Sequence, residues 1–76
     1  MAKAYLRIIV EAGNERQVRD ALRKIGGVKS ADLTAGEQDV IVLIEAGSVE
    51  ELLKTVVDKV RKTAGVRETV TNLIME

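Results

Sequence analysis

Polar and apolar positions alternate along residues 4–11, with Leu6, Ile8 and Val10 on one side and Tyr5, Arg7, Ile9 and Glu11 on the other; this period of two predicts a strand. After Gly13-Asn14 the period lengthens. Val18, Ala21, Leu22 and Ile25 recur at helical spacing, with Asn14 as the expected N-cap and Gly26-Gly27 as the stop. Val28 to Leu33 reads as a weaker strand, which Thr34-Ala35-Gly36-Glu37-Gln38 turns as a hairpin into a strand over 39–46. The consecutive aliphatics Val40 to Ile44 cannot all point one way, so that strand is expected to be buried on both faces. Ser48 and Glu51 form a capping-box pattern opening a second helix, whose apolar stripe is Val49, Leu52, Leu53, Val56, Val57 and Val60 and which Gly65 closes. A last strand, Val66 to Met75, alternates Thr69, Thr71, Leu73 and Met75 against Glu68, Val70, Asn72 and Ile74.

The two halves echo each other. Glu-Ala-Gly closes an apolar run at Glu11-Ala12-Gly13 and again at Glu45-Ala46-Gly47, and each following helix ends in Gly-Val. The register between halves is 34 residues at the first landmark (45 − 11) and 38 at the second (66 − 28), so the second unit carries four more residues, about one helical turn. Two strand-helix-strand units in one chain predict a βαββαβ sandwich of the α+β class, a four-stranded antiparallel sheet with two helices on one face.

Composition narrows the picture. Seventy-six residues make a single domain over 1–76; a domain this short buries only about 60–65% of the surface of its unfolded chain. Cysteine and histidine are both absent, which removes disulfides and the usual ligands of a structural zinc site. Self-association is the remaining common device. The uncovered sheet face is expected to hold Ile9, one alternate set from Val40 to Ile44 and one set from the last strand, and packing two such faces across a two-fold axis would bury them. Twelve basic and twelve acidic residues give zero net charge, so no long-range field draws the chain to nucleic acid or anionic lipid. With no signal-type or membrane-spanning apolar run, a cytoplasmic protein is expected.

Catalysis has little support. Ser48 is spent at a helix cap and Ser30 in a short strand, while Glu15, Asp20, Glu50, Glu51 and Asp58 sit among Lys and Arg at the spacing of solvated ion-pair faces. The chain is read as a non-enzyme without cofactor or metal. Tyr5 is the one aromatic residue, too few for an RNA-stacking sheet, and Gly26-Gly27 follows a helix where a phosphate cradle would precede one.

What remains is the hairpin Leu33 to Asp39 and the segment Gly65 to Thr71. A free amino acid offers an ammonium and a carboxylate. Asp39 can pair with the first, while the Gly36 amide and the hydroxyls of Thr69 and Thr71, which share one strand face, can serve the second. By residues alone the commoner meaning of these features is turn chemistry and strand formation.

The order Val28, Leu33-Thr34-x-Gly36-x-x-Asp39, an aliphatic strand, a helix, then Gly65-Val66-x-x-Thr69-x-Thr71-x-Leu73-Ile74 resembles, over essentially the whole chain, the effector (RAM) domain of the Lrp/AsnC transcription regulators. The resemblance implies a ferredoxin-like domain that dimerises through its open sheet face, assembles into octamer-like rings and binds a free amino acid between dimers. It implies Gly36, Asp39, Thr69 and Thr71 as ligand contacts, with Ala35 and Glu37 lining the loop. The position before the aspartate, usually aromatic in that family, is Gln38 here. Since the chain starts directly at the first strand, it resembles the stand-alone form without a helix-turn-helix, for which co-assembly with full-length regulators and no direct nucleic-acid contact are expected. Two other readings stay open: an ACT-like regulatory domain with its ligand near Gly13-Asn14, and a ligand-free structural assembly module.

Overall fold

The computed structural model describes residues 1–36 and 39–75. Four strands, β1 (Ala2–Val10), β2 (Val28–Leu33), β3 (Val40–Ala46) and β4 (Val66–Leu73), form one antiparallel-paired sheet in the order β2-β3-β1-β4. Helix α1 (Glu15–Arg23) joins β1 to β2; α2 (Val49–Thr55), continued by a π-helical turn over Val56–Val60, joins β3 to β4. α1 packs on β2, and α2 on β3 and β1.

Alternation decides the core. Ala4, Leu6, Ile8 and Val10 of β1 and Val40, Val42 and Ile44 of β3 point to the helices and are buried, meeting Val18 and Leu22 of α1 and Leu52, Val56 and Val60 from the second helical segment. No charged or polar residue joins them among the described residues.

The opposite face carries Tyr5, Arg7, Ile9, Ile41, Leu43 and Val70, placed together by the pairs Tyr5↔Leu43, Arg7↔Ile41 and Arg7↔Val70. Tyr5 and Val70 are 49% and 43% exposed, and Ile9, Ile41 and Leu43 are half-buried. Within one chain β3 is thus fully buried on one face and half-buried on the other, short of the two-sided burial its composition predicts.

Two helix details differ from the sequence reading. Asn14 stands at the N-cap position of α1 without a side-chain cap bond, whereas the Ser48 hydroxyl of α2 accepts the Glu51 N–H at 3.1 Å. The expected six-residue stripe of the second helix splits into two rows: Leu52, Val56 and Val60 are buried, while Val49, Leu53 and Val57 stay exposed. Spacing by fours is wider than the 3.6-residue α period. The π turn, marked by the Arg61 N–H donating to the Val56 carbonyl at 2.9 Å, supplies the extra width that keeps Val60 in the core.

The repeat seen in sequence is locked by reciprocal hydrogen bonds. The Glu11 N–H donates to the Gly65 carbonyl at 2.8 Å, and the Glu45 N–H to the Gly27 carbonyl at 2.8 Å. Each half's Glu-Ala-Gly receives the exit glycine of the other. Both glycines have positive φ, +96° and +94°, and a Cβ on Gly27 would lie 2.8 Å from the Glu45 carbonyl oxygen, a backbone atom. Gly27→Ala is therefore expected to lower the unfolding free energy by about 2–3 kcal/mol in urea titrations. Gly26→Ala, where a Cβ meets nothing within 4 Å, is expected to stay within about 0.5 kcal/mol.

Candidate functional site

The hairpin half of the predicted constellation is anchored to β1. The Asp39 N–H donates to the Ile8 carbonyl at 2.9 Å, and the Asp39 carboxylate Oδ2 accepts the Val10 N–H at 2.9 Å. That clasp falls where the β1–β4 register shifts, between Ile9 and Val10. The Thr34 N–H donates to the Asp39 carbonyl at 3.0 Å, closing the hairpin neck. Ala35 and Gly36 are exposed; Glu37 and Gln38 lie outside the described residues.

The threonine half lies under the helices. Thr69 and Thr71 pair with Ile8 and Leu6, both buried on the helix side, so their side chains share that face. They line a cleft of about 380 Å³ between β4 and the second helix, with Leu53, Val56, Val57 and Arg61 opposite. Its size lies at the lower end for small-molecule sites. The Thr69 Oγ1 atom is buried and has no hydrogen-bond partner among the described residues; a buried hydroxyl left unsatisfied costs about 1–3 kcal/mol.

Val40, Ile8 and Thr69 lie in one row across β3, β1 and β4. Hairpin and threonines therefore occupy the same end of the sheet, about 10 Å apart as two strand spacings. Within one chain β1 stands between them, and the cleft takes in Thr69 and Thr71 but neither Gly36 nor Asp39. Sequence reasoning missed the opposite wall: Leu53, Val57 and Arg61. Its signal was the row Val49, Leu53, Val57, which runs at the same four-residue step as the buried row beside it.

The sequence profile of the Lrp/AsnC ligand binding domain matches residues 3–76. The chain belongs to this family. An uncharacterised HTH-type transcriptional regulator of Pyrococcus abyssi is 40% identical over 57 residues, which are 75% of this chain and 38% of that protein. The chain thus spans well under half the length of the curated relatives it matches. The crystal structure of hypothetical protein PHS023 from Pyrococcus horikoshii superposes with a TM-score of 0.93 at 30% identity, covering 100% of this chain and 92% of that one. Transcriptional regulator NMB0573 from Neisseria meningitidis, solved as its L-Met complex, superposes at 0.86 over 99% of this chain and 50% of its own; at 19% identity that likeness shows the ferredoxin-like fold. The Lrp/AsnC domain is a ligand-binding part of transcription regulators, and this chain has its strand order and helix placement. Among the described residues no helix is long and apolar enough to cross a membrane.

In this Lrp/AsnC domain the Asp39 clasp has a measurable structural share. Asp39→Ala is expected to cost about 1–2 kcal/mol in chemical denaturation. Asp39→Asn, which keeps an oxygen acceptor for Val10, is expected to recover most of it.

Proposed function

We propose that this chain is an amino-acid-responsive assembly module of the Lrp/AsnC type, which pairs through its open sheet face, assembles further and takes a free amino acid where copies meet. The observation that carries the reading is the cleft beside β4: it offers Thr71 and the buried Thr69 hydroxyl, unpartnered among the described residues, on one wall and aliphatic side chains on the other. The ligand contacts are Gly36, Asp39, Thr69 and Thr71, with Ala35 and Glu37 lining the loop. The separation of the hairpin from the threonines within one chain supports completion of the site by a neighbouring copy. The family's description as a ligand binding domain, and the L-Met complex of the Neisseria regulator, support a small amino acid as the effector class.

The open face supports the dimer. Tyr5, Ile9, Ile41, Leu43 and Val70 form an apolar ring around Arg7, with Lys3 and Glu45, paired at 4.0 Å, at its edge. A patch of this kind on a small domain marks an interaction surface. The same face is the means by which the chain would co-assemble with full-length regulators and act on amino acid metabolism in the cytoplasm.

Two measurements test this. Calorimetry against the twenty amino acids is expected to find at least one ligand, with Thr69→Val weakening it about tenfold; no heat with any of them removes the effector role. In sedimentation, Leu43→Glu is expected to weaken self-association by about a hundredfold or more, because the symmetry sets two like charges close together. A monomeric parent chain at micromolar concentration would contradict the dimer.

A further inference from the structure

The duplication supplies an internal control for the cleft. A second, smaller hollow lies between the end of α1 and β2, lined by Arg23, Val28, Lys29, Ser30, Ala31 and Asp32. Adding the 38-residue offset of the two exit glycines (65 − 27) turns Arg23 into Arg61, Val28 into Val66, Lys29 into Arg67 and Ala31 into Thr69, all of which line the first cleft. The two hollows are one structure used twice; Ser30 becomes Glu68, which also lines the first cleft, and three further differences bear on what that cleft can hold.

In the first half the arginine is consumed by its own strand. Arg23 Nε donates to the Ala31 carbonyl at 2.9 Å, and its Nη2 lies 3.7 Å from the Asp32 carboxylate. In the second half Val70 stands where Asp32 stands, and the Arg61 guanidinium has no ion-pair or hydrogen-bond partner among the described residues. Next, buried Ala31 becomes Thr69, whose hydroxyl has no partner among those residues. Last, the helix wall changes: Leu53 and Val57 correspond to Glu15 and Arg19 at the 38-residue offset, or to Arg19 and Arg23 at 34, so charged positions have become aliphatic. An unpaired guanidinium on the helix side, a buried hydroxyl and an apolar wall come together, among the described residues, in one copy only.

Resting on the amino-acid reading above, we infer that the effector is a dicarboxylic amino acid whose side-chain carboxylate is held by Arg61. With the hairpin supplied by a neighbouring copy, its Gly36 amide and the threonine hydroxyls serve the α-carboxylate and its Asp39 the ammonium. Of the two arginines then left in the cleft, Arg67 has Glu68 next to it in sequence on the same wall, and Arg61 stands on the helix wall with Leu53 and Val57. A second acid group on a short aliphatic stem lying against Leu53 and Val57 matches it. Guanidinium–carboxylate pairing is among the stronger recognition contacts available to a partly desolvated cleft.

Calorimetry on the intact chain compares glutamate and aspartate with glutamine, asparagine and leucine, for the parent, Arg61→Gln and Arg23→Gln. The acids are expected to bind about tenfold or more tightly than their amides. Arg61→Gln is expected to erase that difference, while Arg23→Gln, with its fold checked by circular dichroism, keeps it. Equal or tighter binding of the amides or leucine, or a preference for acids that survives in Arg61→Gln, overturns the acidic-ligand inference and leaves the amino-acid reading standing. Absence of binding by all five and by the remaining amino acids overturns both.

Discussion

A four-stranded sheet has two faces, and this chain has helices for one. Everything else follows from that inequality. The helix side collects Leu6, Ile8, Val40, Val42, Ile44 and the buried rows of both helices into a core without polar members among the described residues, and the other side keeps Ile9, Ile41, Leu43 and Val70 half-wet. A chain of 76 residues has little surface to spare, so an aliphatic patch outside its core is a standing free-energy incentive to associate.

The second organising feature is the reciprocal lock between halves. Each exit glycine gives its carbonyl to the Glu amide of the other half, which makes the duplicated units mutually dependent. Symmetry holds at these backbone points and lapses in the side chains. Arg23, bonded to the strand that follows it, and Arg61, without a partner among the described residues, occupy matched places, as do the hydrophobe Ala31 and the hydroxyl-bearing Thr69.

Much of the fold was legible because the alternations are clean. Val28 to Leu33 is a strand with the predicted bounds, Ser48 caps as its pattern indicates, and the 34-to-38 drift does mark a longer second helix. The π turn was not legible, since four added residues look like one more α turn until the burial of Leu52, Val56 and Val60 shows that the step is four. Alternation grouped Thr69 with Thr71 but could not say which face they occupy; that depends on the pairing of β4 with β1 and on the bulge near Val10, a long-range matter. Of the candidate site, the residue types and their grouping came from local pattern, whereas the 10 Å gap between hairpin and threonines comes from strand order.

The Asp39 clasp ties these pieces together mechanically. Its carboxylate grips the amide of Val10, Val10 sits opposite Val66, and Val66 lines the cleft. Hairpin neck and cleft floor are thus joined through one peptide group at a kinked position. A pull on the hairpin neck and a push on the cleft floor would therefore bear on the same kinked stretch of β1 from opposite sides, one lever rather than two.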